Sequence, residues 1–375
     1  MGSRTTNRRA TVILVVSALA FAGFATPASA VHLACGDTVT GAVVLDDDLS
    51  ACPSDGLVVG ANRTTIDLNG FSLSGTGTGL GINVNGFNKV RITNAKEGST
   101  STISGFGTGI RVEASRRSKI LADVGDVTIA SNGDRGIVLR GASRITIRGV
   151  SVVSNGSASA GDGISVDDLP SLASKRIKII ENTVTGNADD GIDLDDSKKV
   201  RVIGNTSDSN GDGLTSEQDG IELDDVSASI VKGNTVFDNA DAGIRVEGDE
   251  TEDNAVKENI VHSNDEGIAL EDEANATLVK GNNVQDSASH GIHLFDTAKA
   301  NVIEGNISGL DTTPPMVGNG GHGIFIEAGA TRNTVKANTT NGNALDGINA
   351  PDGTKGGGNT ATGNSGTDCT PTDLC

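Results

Sequence analysis

The chain has 375 residues, a formal net charge of −20 and no tryptophan or tyrosine. So acidic a composition excludes nucleic acid as an obvious partner, because phosphates are held by dense positive charge. With eight phenylalanines and 51 glycines the chain also lacks the large anchors of an ordinary globular core, and suits a narrow core of small aliphatic side chains.

In chain order, Arg4, Arg8 and Arg9 precede an apolar run from Val12 to Phe24, and Ala28-Ser29-Ala30 supplies the small residues of a cleavage site. Residues 1–30 therefore read as a secretory signal peptide. No later stretch is apolar enough to span a membrane, so no span is expected after cleavage. Without its leader the chain keeps 26 basic against 49 acidic residues, a formal charge of −23. That balance favours solubility and disfavours polyanionic glycans unless a cation bridges them.

A Gly-Ile step or its equivalent begins at Gly81, Gly109, Gly136, Gly163, Gly191, Gly220, Gly243, Gly267, Gly291, Gly323 and Gly347, at intervals of 23 to 32 residues. Such a period marks successive coils of a solenoid. Alternation turns Ile192 and Leu194, Ile221 and Leu223, and Ile268 and Leu270 inward, with the residue between them outward. The glycine allows a close backbone corner. A second alternating segment follows, as in Val200-Arg201-Val202, and leads to an asparagine: Asn182, Asn205, Asn234, Asn259, Asn282, Asn306, Asn338 and Asn364. A weaker echo lies at Asn187, Asn210, Asn239, Asn264 and Asn343. Stacked asparagines can link amide to amide at a corner and tolerate a left-handed backbone.

These spacings predict an all-β parallel solenoid of about eleven coils over residues 61–366, roughly 50 Å long at about 4.8 Å per coil. Residues 31–60, with Cys35 and Cys52, are expected to cap one end, and residues 367–375, with Cys369 and Cys375, the other. In an exported chain these cysteines should be oxidised, and a rod with distant ends permits only the two local disulfides.

Gly-Ile-any-Leu, the Gly-Asn corner and Ile66-Asp67-Leu68-Asn69-Gly70-Phe71 together resemble the parallel β-helix repeat family over nearly the whole chain beyond residue 30. The resemblance implies a single-stranded right-handed parallel β-helix of the pectate-lyase-like superfamily, which includes polysaccharide lyases, hydrolases, epimerases and surface proteins. Gly321-His322-Gly323 and Asn187-Ala188-Asp189-Asp190-Gly191 resemble two polygalacturonase motifs. They lie five coils apart, about 24 Å, too far to act together. The tyrosine used by mannuronan epimerases and many related lyases is missing.

The longer intervals place extra residues at Asn155 to Gly163, Asn210 to Gly220 and Leu310 to Gly323, all ahead of a Gly-Ile strand. Loops 211–219 and 311–322 are expected to wall a groove whose floor is the coils beginning at Gly243, Gly267 and Gly291. Its outward positions are Glu222, Arg245, Ala269, His293 and Phe325; Asp219, Asp241, Glu266, His290 and His322 edge it. Imidazoles serve as bases or ligands, and a Phe face stacks on sugar rings. Arg245, His293 and Phe325 are thus the expected carbohydrate contacts. Asp193 and Glu222 fall on adjacent coils, about 5 Å apart, a separation that suits a retaining glycosidase pair. With Arg245, Glu266, His290, His293 and His322 they make up the catalytic candidates, and whether any is catalytic stays open.

Asp208, Asn210, Asp212, the Leu214 carbonyl and Asp219 follow the spacing of a calcium loop, with Asp in the closing Glu position. The competing reading makes Asn210 a rung of the asparagine ladder and the Asp-Gly pairs turns. Asp195, Asp224, Glu247, Glu271 and Glu327 form an acidic stripe and Lys232, Lys257, Lys280 and Lys336 a basic one, both read as solvated faces. Function at this level is a secreted β-helix that binds an extracellular carbohydrate on the Gly-Ile-any-Leu face; a lyase or hydrolase and a non-catalytic surface spacer are the alternatives.

Overall fold

The computed structural model describes residues 32–122, 124–157, 161–213, 218–310 and 317–375. The signal-peptide expectation for residues 1–30 lies outside them. Alternating apolar residues make the described chain short parallel strands, gathered into sheets of fourteen, thirteen and thirteen. The chain visits the three sheets in turn, so each coil gives one strand to each. The eleven Gly-Ile motifs are eleven consecutive strands of the first sheet, from Leu80–Asn85 to Ile348–Asn349. Strands Asp37–Val39 and Leu57–Val59 precede them and Cys369–Thr370 follows. The ends expected to act as caps therefore continue the winding, and the rod is about 60 Å long.

The core is a set of aliphatic columns. Ile192, Ile221, Ile244, Ile268, Ile292 and Ile324 pair in register on successive strands, and all are fully buried. Truncating one to alanine costs about 2–5 kcal/mol in a core that cannot collapse. The repeated glycine is fixed by close approach. A Cβ at Gly243 would sit 2.4 Å from Val261 Cγ1 and 2.7 Å from Asn264 Nδ2, so the inward side chains of the third sheet occupy its place.

Two asparagine ladders run along the rod. The first links Asn182, Asn205, Asn234 and Asn259 through Nδ2-to-Oδ1 bonds of 2.9–3.0 Å and continues through Asn338 to Asn359. Asn364, expected in this ladder, belongs instead to the second, where it accepts from Asn343 at 2.9 Å. The second ladder also takes in Asn132, Asn155 and Asn319. The left-handed residue is the one before the asparagine, as at Glu181, Glu258 and Ala337, with φ of 55°, 53° and 54°. That twist turns the following amide along the rod axis, where its backbone N–H and carboxamide both meet the next coil.

The three long intervals do fall between a third-sheet strand and the next first-sheet strand: after Ser151–Val153, Thr206–Asp208 and Ile307–Gly309. Residues 158–160, 214–217 and 311–316 lie outside the described residues, and with them the middle of one expected wall and the first half of the other. One insertion sits at a different corner, between the first and second sheets, where Leu169 and Leu172 exchange backbone hydrogen bonds. Both disulfides form as expected, Cys35 to Cys52 and Cys369 to Cys375, with Cα atoms 5.3 and 5.9 Å apart. Among the described residues no helix is long and apolar enough to cross a membrane.

Candidate functional site

The outer face of the first sheet carries the predicted residues in one row. Asp193, Glu222, Arg245, Ala269, His293 and Phe325 pair in register on six consecutive strands. The strand pleat turns them outward because their neighbours fill the core. Along this row the chemistry changes from a carboxylate block, through one arginine, to a block of imidazole and phenyl rings.

In the carboxylate block the closest pairing differs from the expected one. Glu222 hydrogen-bonds the Asp190 carboxylate, and Asp190, Asp219 and Glu222 each bring an oxygen within 4.8 Å of the other two. Asp193 meets the Ser165 hydroxyl at 3.4 Å. Burial raises the Glu222 carboxyl far above the usual range, and the charges of Asp190, Asp219 and Asp193 raise it further. Burial likewise pushes Asp190 and Asp193 well up. Asp219 is lifted to about 7 by burial, against the pull of Arg245. Glu222 is thus a neutral acid donating to Asp190 at neutral pH. Asp190, which the sequence offered only within a polygalacturonase-like motif and not among the site candidates, occupies the pre-glycine position that singled out Asp219 one coil later.

Arg245 divides the two blocks. Its Nε donates to Asp219 at 2.7 Å, Nη2 to Asp241 at 2.7 Å, and Nη1 to Glu271. With its side chain 9% exposed, the guanidinium is committed to three carboxylates. It organises the face by joining the carboxylates of Asp219, Asp241 and Glu271 to one cation.

Beyond Arg245, His293 lies flat between two rings, with centroids 4.4 Å from Phe295 and 5.0 Å from Phe325. Its Nδ1 lies 2.9 Å from Glu266 Oε1, which orients the ring. Nε2 has no hydrogen-bond partner and lies 3.4 Å from Glu327 Oε1. His290 and His322 stack with centroids 5.2 Å apart. His290 Nδ1 accepts the His322 backbone N–H at 3.0 Å, and His322 Nδ1 accepts that of Asp346 at 3.1 Å. Burial lowers both imidazoles, His290 to about 4. Each is neutral at neutral pH, and an Nδ1 that accepts fixes the proton on Nε2. Phe295 is the member of this block absent from the sequence expectations, because it lies one position past the motif.

The described residues of the expected calcium loop each have a protein partner. Asn210 Oδ1 is taken by Asn187 at 2.9 Å and Asp219 by Arg245 and the Ala242 N–H. Asp208 accepts from the Thr185 hydroxyl on the third sheet at 2.9 Å. Asp212 accepts from the buried Gln218 amide at 3.1 Å. Leu214 lies outside the described residues. Of the two readings left open, the ladder claims Asn210.

Comparison with known families and structures agrees with this architecture. Residues 55–218 match the family described as right-handed β-helix region, and residues 213–365 match NosD, described as a periplasmic copper-binding protein. The chain is a right-handed parallel β-helix protein. Among solved structures, this β-helix resembles a surface adhesin of Streptococcus pneumoniae (TM-score 0.54, 12% identity, 83% of this chain and 85% of that one). It also resembles an alginate lyase from a Paenibacillus species (TM-score 0.51, 17% identity, 77% and 92%) and the Dettilon tailspike protein (TM-score 0.51, 18% identity, 87% and 60%). The β-helix thus spans 60% of the tailspike's length. No curated protein matches it in sequence. At these identities the likeness is one of pectate-lyase-like fold, and function must be argued from the site.

Copper favours convergent imidazole, thiolate or thioether ligands. Among the described residues the three-membered groups with converging ligand atoms are Asp190, Asp219 and Glu222, and Glu247, Glu271 and Asp272. His290 and His322 spend Nδ1 on backbone N–H groups, and all four cysteines are in disulfides. The described residues of this β-helix do not fit a copper centre.

Proposed function

We propose that this β-helix is an exported protein that binds an extracellular carbohydrate across the outer face of its first sheet. The observation that carries the reading is the ring platform of His290, His293, Phe295, His322 and Phe325 on consecutive strands. His290, Phe295, His322 and Phe325 are partly exposed around the buried His293; exposed ring faces stack on the apolar faces of pyranoses, and two Nε2–H donors beside them suit sugar oxygens. Two disulfides fit an oxidising compartment, and the adhesin and lyase that share the fold support a surface or glycan role. A second reading, glycan cleavage, is favoured by Glu222, which is held protonated against Asp190. Two buried carboxyls joined by a hydrogen bond and held above their usual range are an arrangement suited to general acid–base chemistry.

A panel of purified polysaccharides tests both, scored for binding and for new reducing ends or unsaturated products. Binding without products that is lost in Phe325→Ala supports the first reading. Products lost in Glu222→Gln while binding persists support the second. A panel that gives neither binding nor products overturns both.

A further inference from the structure

A different surface carries a feature that the overall charge conceals. At the corner between the first and second sheets, each coil has one exposed residue in the left-handed conformation. In six successive coils it is basic: Arg63, Lys89, Arg117, Arg144, Arg176 and Lys199, with φ between 58° and 64°. Backbone bonds fix these coils side by side, from Arg63 N–H to Asn88 O and Lys89 N–H to Arg116 O, through to Lys199 N–H to Ser227 O. The residue just before adds Arg116, Lys175 and Lys198, joined by parallel bridges through Ser143. Lys119, Lys178 and Arg201 flank them in register at the start of the second sheet. None of the six corner cations is ion-paired among the described residues.

The backbone does not require these charges. In the next four coils the same left-handed position holds Ala228, Asp253, Ala276 and Ala300, and only in the coil after them is it basic again, at Arg332. The cations also gather around a real concavity, a groove of about 500 Å³ lined by Asn62, Arg63, Asn88, Lys89, Arg116, Arg117 and Arg144. Unpaired like charges stacked one coil apart repel one another, and an anion that repeats at a similar spacing relieves that repulsion.

We propose that this corner is a binding track for a linear carboxylated polysaccharide, laid along the rod with roughly one carboxylate per coil. The cation spacing is that of the coil rise, about 4.8 Å, comparable to the repeat of a pyranose chain. Asn62 and Asn88 add amide groups for hydroxyls between the charges. The groove lining includes no aromatic side chain, which argues against stacked bases of single-stranded nucleic acid. Its exposed residues are cationic and amide rather than apolar, which argues against insertion into a lipid surface. The track is separate from the ring platform and takes an anionic ligand whether or not the platform binds sugar.

The test uses polygalacturonate as probe and its fully methyl-esterified form as the uncharged control. A single-stranded oligothymidylate and phosphatidylglycerol vesicles compete for the same charges. The variant R117A/R144A/R176A installs the alanine that Ala228, Ala276 and Ala300 already show the corner accepts, so folding is preserved. The expected result is salt-sensitive binding of polygalacturonate that weakens at least tenfold in the triple variant and on esterification, and is unchanged in Phe325→Ala. Equal binding by the triple variant, equal binding of the ester, no binding at low salt, or preference for oligonucleotide or vesicles overturns the proposal. Loss in Phe325→Ala with retention in the triple variant would place polyuronate binding on the platform instead.

Discussion

The two ends of the outward row on the first sheet respond to protons in opposite directions. In the carboxylate block, burial raises Asp190, Asp193, Asp219 and Glu222; in the ring block, burial lowers His290 and His322. Both blocks sit on the same fold, share strand geometry and are desolvated by the same sheet. The difference teaches that the scaffold sets the burial, while the residue type decides whether burial removes a negative or a positive charge.

Arg245, at the boundary, is the strongest lever on that contrast. Replacing it with Met leaves Asp219, Asp241 and Glu271 without their cation, an expected loss of about 3–5 kcal/mol measurable by urea denaturation at pH 7.5. The loss should shrink at pH 5, where Asp219 and Glu271, both raised to about 7, are protonated. A pH-independent loss would mean that Arg245 acts by packing alone. Phe325→Ala comes next. It removes one face of the His293 sandwich and should weaken a platform-bound glycan about tenfold, with the Glu222 region unaffected.

The pH response follows from linkage. Asp219's raised pKa contributes stability that is fully present below 3.8 and lost as pH rises through about 7. His290's lowered pKa contributes stability present above 6.5 and lost as pH falls through about 4. The raised carboxyls outnumber the lowered imidazoles, so the melting temperature should rise by a few degrees between pH 7.5 and pH 5. Glu222→Gln should flatten this rise and His290→Asn should steepen it. A fall on acidification would break the comparison. The smallest effect concerns calcium: with Asn210 and Asp219 bonded to other partners, EDTA should leave the melting temperature unchanged, and a drop would support the Asp208 to Asp219 site.

Most of the fold was legible because it is written in periodicity. Ile192, Ile221 and Ile244 recur in the same local context, and the solenoid simply stacks them. The ladder asparagines were legible for the same reason, yet Asn364 was misplaced where the last coil shortens and the spacing slips. The outward row was found from the pleat, but its partners were not, because a hydrogen bond between Glu222 and Asp190 depends on side-chain reach rather than register. The basic corner escaped for another reason. Arg-Arg-Ser-Lys at 116–119, Lys-Arg-Ile-Lys at 175–178 and Lys-Lys-Val-Arg at 198–201 are each unremarkable in a chain of net charge −20, and only winding lays them side by side.

The in-register outward row also makes the rod a ruler. Glu222 and His293 are separated by three coil steps, through Arg245 and Ala269, about 14 Å. Because that distance is counted in whole coils, a point substitution cannot tune it continuously. Gaining or losing one complete turn would change it by about 4.8 Å while leaving each block intact, so spacing along this face varies in steps, by duplication or excision of a unit.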